Sequence, residues 1–344
     1  MEIAQFDVTK KAMLSAIHFN GWSARKHDKK ASRDIAAQNN ASEDAGRYNK
    51  TLLKDCEKFD ALKTLETRIR QYFYKITLPW SDDGQRILSS DLYYEFMEKM
   101  REFASEYRMA VNEFLDVYEN YIDDNKPRLG DMHQRTEYPT IAKLKERFDF
   151  TYEVLPLPVG GDFRVNFSEE EQARIAQDID RNSREKLQNG IQDLWFRLHK
   201  VVAKMAQTLS DPDKGFHKTL VTNIEDLVEV LPQLNITGDA NLTNLTNQVK
   251  TQLCQFSAEM LKNDAVTRQY TAQHATNIAN TIAGVLDIPK MEGPAPVAVK
   301  PSAAPVDDTL ALPFTSTPVQ EEEDVAAASD AIFDRMAAYM LPAA

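Results

Sequence analysis

Two cysteines in 344 residues, Cys56 and Cys254, are far apart and sit among apolar positions at helical spacing. Buried reduced thiols are favoured over a disulfide, and no pair has the spacing of a metal site. Glycine is scarce at 11 residues, which disfavours loop-rich and doubly wound folds and suits long helices. No apolar run approaches the roughly 20 residues of a membrane helix, so no membrane span is expected. The opening stretch MEIAQFDVTKKAML lacks a basic segment followed by an apolar one, so no signal peptide is expected. The familiar phosphate-binding, dinucleotide, zinc-protease and nucleophile-elbow motifs are missing as well. No catalytic residue, cofactor or metal ligand is therefore assigned. His18, His27, His133, His199, His217 and His274 form no i, i+4 pair. Asp131, His133 and Glu137 share one loop, where surface polarity explains them without a metal.

Positive charge is also in deficit. With 41 Lys and Arg against 53 Asp and Glu, the net charge is -12. A broad nucleic-acid surface needs many cationic phosphate contacts, so nucleic acid is disfavoured as a partner. One stretch runs the other way. WSARKHDKKASR places Arg25, Lys26, Lys29, Lys30 and Arg33 against the single carboxylate of Asp28. It reads as a solvated face or, alternatively, as a single-strand nucleic-acid site with Trp22 as its stacking platform.

What is present is helical periodicity. Leu52, Cys56, Phe59, Leu62, Leu65, Ile69 and Phe73 recur three or four apart, until Pro79 and Gly84 break the pattern. A second stripe runs from Leu92 through Phe96, Met100, Phe103, Tyr107, Val111, Phe114 and Tyr118 to Tyr121. Thr140 caps a short helix. Ser168 and Glu171 form a capping box that opens the longest helix, to about Leu209. Inside it Leu187, Ile191, Leu194, Leu198, Val201 and Met205 trace a heptad seam, extended upstream by Ile175 and Ile179. At 1.5 Å per residue this helix spans roughly 60 Å, so it should protrude as a coiled-coil arm or bridge two bundles. Helices over about 215–230, 240–260 and 262–286 follow. The last presents Val266, Tyr270, His274, Ile278, Ile282 and Val285.

One stretch breaks the helical rule. Phe148, Phe150, Tyr152 and Val154 alternate with polar residues, and Phe163, Val165 and Phe167 do so again after Gly160 and Gly161. This predicts a small antiparallel hairpin over 148–167. The fold class is thus mainly α: an elongated helical bundle with a long coiled-coil-like helix and one β-hairpin. The expected segments are a bundle over 1–147, the hairpin clasp, a long-helix bundle over 168–287, a disordered linker over 288–324 and a tail helix over 325–344.

Four pieces, GWSARK, TLPWSDDGQRIL, RLGDMHQRTEYPTIAKLKERFDF and LPLPVGGDFRV with the acidic cap after it, resemble an uncharacterised family of tailed-phage and plasmid proteins. The resemblance covers about residues 15–210. Members carry only a domain of unknown function, often encoded near MoxR-like AAA+ ATPases and von Willebrand-type proteins. It implies an adaptor or regulator of such an ATPase, in the cytoplasm of an infected bacterium, and no catalytic residues. The expected function is a non-enzymatic phage accessory protein acting through protein contacts with a phage or host partner. Trp80, Leu157 and Arg164 are the candidate contacts, with Phe333, Met336 and Tyr339 in the tail. A virion assembly protein self-associating through the long helix is the alternative, ahead of single-strand nucleic-acid binding.

Overall fold

A computed structural model of the chain describes residues 8–82, 84–163 and 165–293. Arg164, most of the expected linker, and the tail with Phe333, Met336 and Tyr339 lie outside the described residues.

The chain enters through strand β1 (Ala12–Asn20), a short strand β2 (Arg25–His27), helix α1 (Lys29–Gln38) and strand β3 (Asn49–Thr51). Helix α2 (Glu57–Ile76) leads into β4 (Thr77–Pro79) and β5 (Arg86–Ser89), then into α3 (Tyr93–Leu129), α4 (Ile141–Arg147) and β6 (Asp149–Pro156). The later described elements are helical: α5 (Glu169–Ser210), α6 (Thr219–Leu234), α7 (Ala240–Leu253), α8 (Ala258–Asn263) and α9 (Ala265–Leu286).

The structure is mainly α-helical, as the periodicity predicts, but its β content differs from expectation. Strands β4, β5, β1 and β6 form one antiparallel sheet in that order, and β2 pairs with β3 in a separate ribbon. Among the described residues the hairpin expected over 148–167 does not form. Its first half is β6, which pairs along its whole length with β1, from Met13 opposite Pro156 to Asn20 opposite Asp149. In its second half the described residues, 163 and 165–167, lie in no strand, and Gly160–Asp162 is a single 3-10 turn. Pairing with β1 wins because it lays Phe150 and Tyr152 beside Phe19 over α3. Phe19 stacks on Phe150 at 4.7 Å, and Tyr152 meets Phe96 edge-on at 6.3 Å. A local hairpin would leave those rings without a floor.

Helices α2 and α3 cover that face of the sheet with the stripes read from the sequence, except that Leu52 precedes α2 and Cys56 is its N-cap residue. Phe73, Phe96, Met100 and Phe114 are essentially inaccessible. Helix α3 runs eight residues past Tyr121. Asn125 rewards the extension: it accepts from the Lys54 amide at 3.0 Å and donates to the Lys54 carbonyl at 3.3 Å, tying down the entry to α2.

Helix α5 packs against the opposite face at Gly190. A Cβ there would meet the Ile87 side chain at 3.0 Å and the Pro79 carbonyl at 3.3 Å, so only glycine lets the helix sit so close to β4 and β5. Ser168 caps α5 by accepting from the Glu171 amide at 3.3 Å. Its seam residues Leu194, Leu198 and Met205 are fully buried inside the chain, against α9 and α6, so no free coiled-coil arm is formed by them. The bridging alternative is the better description: one end of α5 meets the sheet, the other organises the later helices.

Helix α9 is rotated relative to expectation. Ile278 and Ile282 point inward, but Val266, Tyr270 and Val285 are exposed. The buried face is Ala272, Ala275, Ala279 and Ala283, a row of small side chains that lets the helix backbones approach closely. Near the start of α5, Gly160 lies against the helix backbone. A Cβ at 160 would fall 2.9 Å from the Ala176 Cα and overlap its carbonyl. Gly160→Ala is expected to cost about 1–3 kcal/mol, the usual range for overpacking. Thermal melting checks it, and a variant as stable as the parent would show that the 158–163 loop lifts off α5 freely.

Candidate functional site

Two surfaces carry features that burial does not use up. The first is the outer edge of β6. As the last strand of its sheet, β6 is hydrogen-bonded to β1 alone among the described strands. Side chains facing α3 are covered. On the other face Asp149, Thr151, Glu153 and Leu155 are exposed, with the His18 ring 3.7 Å from Glu153. Beyond the strand the chain is held along α5 by the Gly160 amide donating to Asp180 at 2.8 Å and Ser183 donating to the Pro158 carbonyl at 3.0 Å. Val165 and Phe167 then stand half-exposed, Phe167 stacked at 6.3 Å on Phe163. An open edge with apolar side chains at one end is the geometry that accepts a further strand.

The second surface is the module of β2, α1 and β3. Asp28 joins β2 to α1 and caps the helix, accepting from the Lys30 and Ala31 amides at 3.1 and 3.0 Å. Its other oxygen meets Lys50 of β3 at 2.9 Å. Lys50 is buried and also reaches Glu137 at 2.9 Å and the Met132 carbonyl at 2.7 Å. Burial opposes the Lys50 charge, but the hydrogen bonds to Glu137 and Asp28 outweigh it, so its pKa lies above the ordinary 10.5. The Asp28 carboxyl lies below its ordinary 3.8, mainly through the Ala31 amide and then through Lys50. This cluster fastens the module to the loop after α3. Arg25, Lys26, Lys29, Lys30 and Arg33 are all exposed on it and make no ion pair among the described residues.

Several residues singled out from the sequence are placed differently. Trp80 is buried under Lys186, whose ammonium sits 5.1 Å from its ring, and Leu157 is buried too, so neither is an exposed partner contact. Trp80 faces inward where the end of β4 meets α5. Trp22 is 7% exposed and packs among Phe59, Tyr118 and Tyr138, so it offers no stacking platform. The exposed aromatic in the loop of this module is Tyr48, which belongs to no apolar period in the sequence. Its only signal there is its place between Arg47 and Lys50 in an otherwise polar loop.

Glu137 of the Asp131, His133, Glu137 loop is taken up by Lys50, and no group of three metal-ligating side chains occurs among the described residues. Both cysteines are free, with thiol pKa values raised by burial, that of Cys254 to about 11. His199 on α5 is half-buried and burial lowers its pKa. No described helix is long and apolar enough to cross a membrane.

No family model, curated protein or solved structure matches this chain.

Proposed function

We propose that the protein acts through protein–protein contacts, with the β6 edge accepting an extended segment of a partner. The observation that carries this reading is an eight-residue strand paired, among the described strands, along one side only, with Leu155 exposed on it and Val165 and Phe167 exposed beyond it. Main-chain hydrogen bonds would supply affinity, and alternate side chains would supply selectivity. Asp149 and Glu153, two exposed carboxylates on one face of the edge, favour a partner strand with basic side chains at alternate positions. A MoxR-like AAA+ ATPase is the first partner to try, on the strength of the resemblance in residues 15–210. Self-association through α5, the other reading, would have to use the upstream extension of the seam, Ile175 and Ile179, which are half-buried, because Leu187, Ile191, Leu194, Leu198 and Met205 are buried within the chain.

Lysines on a strand edge discourage pairing. Asp149→Lys with Glu153→Lys is therefore expected to abolish capture of the partner in an affinity pull-down. Both side chains are exposed, so melting should stay within about 1–2 °C of the parent. Equal capture by parent and variant would refute the edge as the docking site. Light scattering across concentration separates a second copy of this chain from a foreign partner.

A further inference from the structure

The basic module has a composition that its structural role does not require. Holding β2, α1 and β3 in place uses Lys50, Asp28 and Glu137. It uses none of the side-chain charges of Arg25, Lys26, Lys29, Lys30 or Arg33. Some cations elsewhere are paired, Lys58 with Glu113, Lys99 with Glu102 and Arg135 with Glu119, while exposed Lys143, Lys145 and Arg147 on α4 make no ion pair among the described residues. In this module the one carboxylate inside the basic run, Asp28, is withdrawn into the pair with Lys50 and keeps only 13% side-chain exposure. Five cations within nine residues are left facing solvent. Asp34 follows them on α1, and Glu43 and Asp44 lie on the loop beyond it. The net charge of -12 does not cancel this local excess, because the screening length at physiological salt is about 8 Å.

Tyr48 is fixed beside this run. Its carbonyl accepts from the Asp28 amide at 2.9 Å, and its amide donates to Ser32 Oγ at 2.9 Å. Tyr48 is 40% exposed and lines a shallow groove of about 330 Å³ with Ile35, Ala36 and Arg47. Arg47 is exposed and has no ion pair among the described residues. Asp28 already occupies the N-terminus of α1, so an anion here would be held by side chains and not by helix amides.

We infer that this module, the cations from Arg25 to Arg33 with the Tyr48 groove beside them, binds single-stranded nucleic acid. The unpaired cations track phosphates, and the tyrosine ring gives a base a surface to stack on. An acidic peptide would satisfy the charges and leave the ring unused. The inference is independent of the β6 edge, which lies on other residues and other elements.

The test is fluorescence anisotropy of a labelled single-stranded oligothymidine with the full chain. Five phosphate contacts predict a log–log salt slope of about -3.5, or roughly a hundredfold loss of affinity between 50 and 200 mM salt. Lys29→Glu with Lys30→Glu should flatten that slope by about 1.4. Tyr48→Ala should weaken binding roughly tenfold, and Tyr48→Phe should preserve it. All three positions are exposed, and circular dichroism confirms that the variants fold. Absence of binding at 50 mM salt overturns the inference. So does binding that ignores Tyr48→Ala and is displaced equally well by polyglutamate, which would assign the face to acidic peptides.

Discussion

Lys50→Met is expected to lower stability by about 3–5 kcal/mol, because it removes the cation from between two carboxylates that have almost no access to water. The side chain has 1% exposure, while Asp28 and Glu137 retain 13% and 14%. Methionine fills a similar volume, so the loss is electrostatic and not a cavity. The melting temperature should fall by on the order of 10 °C. Adding Glu137→Gln to Lys50→Met should return part of the loss, since one uncompensated charge is then gone. A melting temperature unchanged by Lys50→Met would mean that the module is held by packing alone.

The same cluster sets a pH dependence with two limbs. The pKa of Asp28 is lower in the native state, so its contribution is present above pH 3.8 and is lost as the pH falls through the lower native value. The pKa of Lys50 is raised, so its contribution is complete below pH 10.5 and is lost as the pH rises through the higher native value. Between these limits the cluster contributes a plateau. In Lys50→Met the alkaline limb of this cluster should disappear, and the acid limb should move to higher pH because Asp28 has lost one of the groups holding its carboxylate charged.

Arg268→Met is the second large effect expected, at about 3 kcal/mol or more. Arg268 sits on α9 with 9% exposure. Its guanidinium donates to the carbonyls of Thr208 at 3.1 Å, Leu209 at 3.2 Å and Lys214 at 2.7 Å, and also to that of Asp211. It lies 5.4 Å from the centre of the Phe216 ring. These carbonyls belong to the end of α5 and the loop after it, where the helix dipole favours a cation. One planar fork therefore closes the C-terminus of the longest helix and shapes the turn into α6. Removal leaves acceptors without donors in a place water scarcely reaches. Arg268→Lys should recover little, because an ammonium lacks the fork that spans separated carbonyls. Hydrogen exchange would localise the damage to about 208–218 and the first turns of α9. If protection there is unchanged, the arginine is not the clamp.

How far each element could be read in advance follows from how local its causes are. The stripes of α2, α3 and α5 were legible because a helix closes its hydrogen bonds within four residues, and the apolar period reports its buried face directly. The caps at Thr140 and Ser168 are equally local. Strand β1 was not legible. Leu14, Ser15 and Ala16 are all buried, so a strand covered on both faces shows no alternation. β6 did alternate, but its partner stands 138 positions away at Ser15, where the hydroxyl donates to the Glu153 carbonyl. A period marks a strand without naming its neighbour.

The candidate surfaces divide in the same way. The run of cations from Arg25 to Arg33 is plain in the amino-acid order, and the aromatic expected to serve it was Trp22. Tertiary packing put Trp22 into the core and left Tyr48 outside, because a large apolar ring is buried wherever Phe59, Tyr118 and Tyr138 can enclose it. Amino-acid order by itself determined that this protein is mainly helical, where its longest helix begins, and that one short stretch is strongly basic. Only the tertiary structure decided which strand β6 joins, that α5 spends its seam within its own chain, and that Asp28 leaves its basic neighbours unopposed. Those outcomes depend on contacts between residues tens to more than a hundred positions apart, and no local period encodes such contacts.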